Sequence, residues 1–226
     1  MKGPALAVMA RRPVAGKVKT RLQPYLTPGQ AASLYHSFLQ DALELLPALS
    51  EFEPFVSYTP RSARTFFKNM TEGKAGLIPQ VGSDIGERML DLVRVLAGQG
   101  YSPIIITGSD IPLLQPRIFR KALKLLKDHD VCLGPSADGG YYLIGLKKPF
   151  EVIFRDMPWS TPDVLRLTKE RINKGGLSLA ALDVYQDVDT IYGLSAMKSG
   201  LERLSSLPGN RIPKHTQAWF SQNRIF

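Results

Sequence analysis

The chain has 226 residues, of which 44% are hydrophobic and 22% charged, with a formal net charge of +9; this suits one α/β unit around a single core and excludes a disordered or fibrous chain. No stretch reaches the roughly 18–20 uninterrupted apolar residues of a membrane span. The positive charge gathers at residues 11–21, 117–127 and 203–224 without interleaved aromatics or a nucleic-acid module, so it argues for a small phosphorylated ligand rather than a nucleic acid.

Residues 4–10 read as a first strand. Their apolar run leads into Arg11-Arg12-Pro13 without a small-residue cleavage site, which favours a strand over a cleaved leader. The loop that follows carries five cations, Arg11, Arg12, Lys17, Lys19 and Arg21, around Gly16. It lacks the paired glycines and hydroxyl of a Walker A loop and the three glycines of a dinucleotide fingerprint. Two readings stand: a solvated basic loop, or a strand-to-helix connection that wraps a di- or triphosphate.

Thr27, Pro28 and Gln30 form a capping-box start to a helix whose buried face carries Leu34, Phe38, Ala42, Leu45 and Leu49. Strands are expected at 53–58 and 77–81, and Asp84 with Glu87 opens the next helix. Residues 104–107 make a strand of continuous β-branched residues, suited to burial on both faces of a parallel sheet. It stops at Gly108-Ser109, and Pro112 bars its continuation. Asp110 is thereby placed beyond the carboxyl end of a central strand, where open α/β sheets bind ligands; as an Asp in a turn it is equally suited to capping that turn.

A helix over 116–127 and a strand over 131–133 follow. Cys132, the only cysteine, lies in that strand, as an inert core thiol of a cytoplasmic protein would. Asp138-Gly139-Gly140 connects it to a strand at 141–146, either as a plain tight turn or as a place of close ligand approach, and the short connection implies an antiparallel pair. Trp159-Ser160-Thr161 precedes a helix over 162–174, with Ser160 or Thr161 as its cap. A short strand at 177–181 and a helix over 191–204 complete the pattern, and Asp187 and Asp189 sit where they would cap that helix or bind a ligand. The alternation predicts one α/β domain over 1–226, a mostly parallel sheet with helices on both faces, ending in a basic tail at 207–226. His36, His129 and His215 fall outside these segments and carry no predicted catalytic role.

The stretches Arg12-Pro13-Val-Ala-Gly16-Lys17-Val-Lys19-Thr20-Arg21, Gln80-Val-Gly82-Ser-Asp84-Ile-Gly86-Glu-Arg88, Gly108-Ser-Asp110-Ile-Pro112, Gly134-Pro-Ser-Ala-Asp138-Gly139-Gly140-Tyr141, Pro158-Trp159-Ser160-Thr161 and Asp187-Val-Asp189-Thr190 together resemble the nucleotide-diphospho-sugar transferase superfamily with the GT-A type (Rossmann-like) fold. Within it the chain is similar to the glycosyltransferase-like branch related to the phospholactate and molybdenum cofactor guanylyltransferases, and the likeness covers about residues 4–195. The resemblance implies a metal at Asp110 and Asp189, Mg²⁺ or Mn²⁺ as cofactor, and catalytic roles for Asp110, Lys17 and Asp138. It implies substrate contacts from Arg11, Arg12, Gly16, Lys19, Arg21, Gln80, Asp84, Arg88, Gly139, Gly140 and Trp159. The first function it implies is a metal-dependent glycosyl transfer from a nucleotide-sugar donor to a small acceptor. The alternative is a nucleotidyl transfer, guanylyltransferase-like, joining an NTP to a phosphorylated small acceptor, and a non-catalytic nucleotide-binding protein is the third. Base, acceptor and any homo-oligomer are left open.

Overall fold

The computed structural model describes residues 2–223 and 225. β1 (Ala5–Arg11), β2 (Glu53–Thr59), β3 (Gly76–Pro79) and β4 (Ile104–Thr107) run parallel, with β1 between β2 and β4. β5 (Val131–Pro135) and β6 (Tyr141–Leu146) form the expected antiparallel pair, but β6 inserts between β4 and β5 and is antiparallel to both. β7 (Leu179–Ala181) then pairs parallel with β5, giving the order β3-β2-β1-β4-β6-β5-β7. The chain leaves β1 toward β2 and later returns on its other side as β4. That reversal is the switch point at which α/β sheets open a crevice at their carboxyl ends.

Side chains alternate across the sheet and so define two cores. Leu6 and Val8 of β1 pack with α1 (Pro28–Leu45), α4 (Pro116–Leu125), α6 (Ile191–Ser205) and α7 (Lys214–Asn223) through Leu34, Phe38, Ile118, Phe119, Leu194 and Trp219. Ala5 and Ala7 face the other way, with Ile104 and Ile106, against α3 (Ile85–Gly98) and α5 (Val164–Lys174). A short helix, α2 (Arg64–Met70), unmarked by any cap residue, precedes β3.

The starts of α1 and α3 follow their sequence. Thr27 Oγ1 accepts from Gln30 N at 3.2 Å and Gln30 Oε1 from Thr27 N at 2.9 Å. Asp84 accepts from Glu87 N at 2.8 Å, while Glu87 reaches back to Ser83 N rather than to the cap residue. The start of α5 departs from expectation. Neither Ser160 nor Thr161 caps it; Thr161 Oγ1 donates to Pro158 O at 2.8 Å and the helix begins at Val164.

Residues 207–226, expected to be a basic tail, contain α7, which packs along α1. Its anchor is Asp41, fully buried on α1, whose carboxylate accepts from His215 N at 3.1 Å, Thr216 N at 2.8 Å and Thr216 Oγ1 at 2.6 Å. An acidic group at a helix N-terminus meets both unpaired N–H donors and the positive end of the helix dipole. Glu44 adds a contact to His215 Nε2 at 2.6 Å. Among the described residues no helix is long and apolar enough to cross a membrane.

Asp41→Ala should cost roughly 3 kcal/mol, because it strips a buried anchor from several donors at once. Urea denaturation of both proteins measures it; a loss below about 1 kcal/mol would mean that α7 is held by its apolar face alone.

Candidate active site

A cleft of about 620 Å³ opens at the carboxyl ends of β1 and β4, within the size range of small-molecule sites. It is lined by Thr107, Gly108, Ser109 and Asp110 after β4, by Arg11, Arg21 and Arg88, and by Asp138, Gly140, Tyr141 and Trp159; Gln80 and Asp189 also line it.

The centre of the site is an ion triad. Lys19 Nζ lies 2.7 Å from Asp110 Oδ1 and 2.8 Å from Asp189 Oδ1, and its side chain is only 4% exposed. Burial alone would lower the lysine pKa; the charges of Asp110 and Asp189 and their hydrogen bonds outweigh it and hold the ammonium above its ordinary range. The backbone of Lys19 is left-handed, φ 48°, at the entrance to a 3₁₀ turn over Thr20–Leu22. A lysine gains nothing locally from that conformation, so the distant ion pairs must offset its cost. The rings of Tyr35 and Phe38 flank the ammonium at 5.9 and 5.7 Å.

Asp110 and Asp189 are spared local capping and meet cations instead, Arg21 Nη1 also standing 3.8 Å from Asp189 Oδ2. Thr190, not Asp187 or Asp189, caps α6, accepting from Gly193 N at 3.2 Å. Asp110 meets the ammonium rather than the backbone of its own turn. Asp187 stands nearby with its pKa pushed up to about 6, by partial burial first and then by the negative charges of Asp138 and Asp189. Asp138 accepts from Gly140 N at 3.0 Å, within its own turn, while facing the cleft.

The walls are pinned from behind. Gln80 Nε2 donates to Ser57 O at 2.9 Å and Ala10 O at 3.4 Å, clamping the ends of β2 and β1. Tyr35 OH accepts from Arg11 N at 3.1 Å and shares a 2.9 Å hydrogen bond with Ser109 Oγ, tying β1 to the Asp110 turn. Trp159 lies directly on Gly86: a Cβ there would meet the indole nitrogen at 2.2 Å, so α3 carries glycine where the ring crosses it.

The structure therefore gathers Arg11, Arg21, Gln80, Arg88, Asp110, Asp138, Gly140, Trp159 and Asp189 around one cleft, with Lys19 beneath it. Arg12, Gly16, Lys17, Asp84 and Gly139 stand outside its lining. Lys17 is exposed, Arg12 sits over the Phe66 ring at 5.6 Å, and Asp84 is spent on capping α3. Gly139 has φ +90° and presses on the Pro162 carbonyl, where a Cβ would clash at 2.1 Å. None of His36, His129 and His215 lines the cleft. Tyr35 was absent from the expected site; its hydroxyl on a buried helical stripe, beside Leu34, was the available signal, because a buried phenol needs a partner.

Comparison with known proteins adds a family and a fold. A profile described as "Uncharacterized protein conserved in bacteria (DUF2064)" matches residues 42–161. The chain belongs to that family. A crystal structure from Desulfovibrio desulfuricans G20, described as a candidate nucleotide-diphospho-sugar transferase, is 32% identical, with a TM-score of 0.89 over 99% of this chain and 96% of that one. The cytidylyltransferase of Leptospira borgpetersenii shares the fold at 13% identity, with a TM-score of 0.61 over 99% of this chain and 96% of its own. The 2-phospho-L-lactate guanylyltransferase of Methanocaldococcus sp. FS406-22 is 29% identical over 130 residues. That match covers 58% of this chain and about half, 54%, of the relative. The expected superfamily and its mostly parallel α/β fold are thus confirmed.

Asp187 supplies a pH test. Its carboxyl is raised in the folded state, so the unfolded chain ionises first, and the stability due to this group declines as pH rises toward and through about 6. Asp187→Asn removes the decline. The Tm gain of the variant over the parent should be larger at pH 7.5 than at pH 5; an equal or reversed difference would mean that Asp187 ionises normally.

Proposed function

We propose that the chain is a nucleotidyltransferase that joins the nucleotidyl part of an NTP to a phosphorylated small acceptor, using a divalent cation held by Asp110 and Asp189. The observation that carries this reading is the convergence of those two carboxylates, from the turn after β4 and the approach to α6, on one cation-sized point beside an arginine-lined cleft. Hard carboxylate oxygens around a point already occupied by an ammonium suit Mg²⁺ or Mn²⁺. When bound, the cation would offset negative charge on the phosphates during transfer.

The side chains of the cleft account for the remaining chemistry. Arg11, Arg21 and Arg88 offer planar, permanently charged donors to the phosphate oxygens. An oxygen of the acceptor phosphate attacks the α-phosphorus, the bond from that phosphorus to the bridging oxygen of the β-phosphate breaks, and pyrophosphate leaves. A phosphate acceptor arrives already anionic, so the step requires no base to remove a proton, in keeping with a cleft that no histidine lines. Asp138 and Trp159, which also line the cleft, are assigned to orienting the acceptor and excluding water. Glycosyl transfer, the first expectation from the sequence, gives way here because the curated relative is named for guanylyl transfer, which also makes GTP the first nucleotide to try.

An NTP panel with small organophosphates, 2-phospholactate among them, tests the proposal by pyrophosphate release. The expected outcome is stoichiometric pyrophosphate and adduct, lost on chelation of divalent cations. Asp110→Asn and Asp189→Asn should each lower kcat/KM by roughly a hundredfold or more while retaining the folded circular dichroism spectrum. Release of a nucleoside diphosphate from a nucleotide-sugar, with no pyrophosphate from any NTP, would restore glycosyl transfer. Nucleotide binding without turnover of either donor class would indicate a binding protein.

A further inference from the structure

The ammonium of Lys19 and the proposed cation claim the same place. Lys19 Nζ stands within 2.8 Å of both carboxylates that would hold the metal, and no wider gap separates those two oxygens from it. We infer that Lys19 is an internal counter-ion that competes with the divalent cation for Asp110 and Asp189, so that metal entry and withdrawal of the ammonium are one event. This inference rests on the metal site proposed above.

The competition follows from charge and burial. Without a cation, two facing carboxylates with Asp187 and Asp138 nearby would repel one another, and Lys19 neutralises part of that charge. When a divalent ion arrives, the ammonium is a like charge at contact distance and must move. Its side chain is 4% exposed and walled by Tyr35 and Phe38, so withdrawal into water is obstructed. Its two partners, Asp110 and Asp189, line the cleft, where the phosphates of a nucleotide would receive the ammonium. Metal alone therefore binds against the loss of two ion pairs, whereas metal arriving with phosphates gives the ammonium new partners. Lys19 would in this way make metal and nucleotide binding mutually dependent, by ordinary linkage. Lys17, two residues earlier, has the same charge but is exposed and outside the cleft lining, and so provides an internal control.

The test is Mn²⁺ affinity without nucleotide, read from the loss of the free-ion EPR signal, for the parent, Lys19→Met, Lys19→Gln and Lys17→Met. Removal of Lys19 should tighten Mn²⁺ binding by roughly tenfold or more, because a like charge at contact is abolished, while Lys17→Met changes it by less than about twofold. Folding is checked by thermal unfolding, where added Mn²⁺ should raise the Tm of the Lys19 variants more than that of the parent. Should Lys19→Met fail to fold, Lys19→Gln carries the same expectation. Equal Mn²⁺ affinity in parent and Lys19 variants, or weaker affinity in the variants, overturns the competition and leaves the metal site standing. Absence of Mn²⁺ binding in parent and variants alike overturns the metal site and the competition together.

Discussion

An ammonium taken out of water must have its charge met, or it deprotonates or the chain rearranges to release it. In this protein Lys19 is withdrawn almost completely from solvent and keeps its proton because Asp110 and Asp189 meet it at 2.7 and 2.8 Å. Those residues come from three separate parts of the sequence: the loop after β1, the turn after β4 and the approach to α6. The ion triad therefore closes the site across the sheet, and its ion pairs help to offset the left-handed backbone of Lys19.

The surrounding contacts leave those carboxylates available. Thr190 takes the capping duty that would otherwise occupy Asp189, Tyr35 and Gln80 fix the strand ends, and Gly86 lets Trp159 pack directly on α3. The carboxylate on α1 is used differently. Asp41, Glu44 and His215 bring potential ligand atoms within 4.8 Å of one another, yet Asp41 is committed to the backbone of α7, so this cluster is a latch between helices. Two acidic groupings in one chain thus diverge: one is saturated by donors of the fold, the other is met by the buried ammonium of Lys19, with Arg21 3.8 Å from Asp189.

Much of this was legible in the sequence because it depends on local chemistry. The capping box at Thr27, the β-branched run of β4 and the small-residue turn before Asp110 each specify their structure within a few residues. The short β5–β6 connection announced an antiparallel pair, but the insertion of β6 between β4 and β5 is a matter of sheet order that no local pattern encodes. Nor could spacing separate Lys17 from Lys19. Both lie in the same basic loop, and which of them is buried is decided by Asp110 and by Asp189, 170 residues from Lys19. A separation of 175 residues likewise hid α7, whose start is capped by Asp41 from α1 rather than by a neighbour in sequence.

One crystal tests whether Asp110 and Asp189 share a divalent cation in the place Lys19 now holds, as proposed above. Anomalous diffraction from a crystal of the protein grown with Mn²⁺ and a non-hydrolysable NTP analogue locates the metal directly. The expected result is one anomalous peak about 2.0–2.6 Å from a carboxylate oxygen of each residue, with the Lys19 side chain turned toward the phosphates. Manganese bound elsewhere, with Lys19 still bridging the two carboxylates, would contradict it.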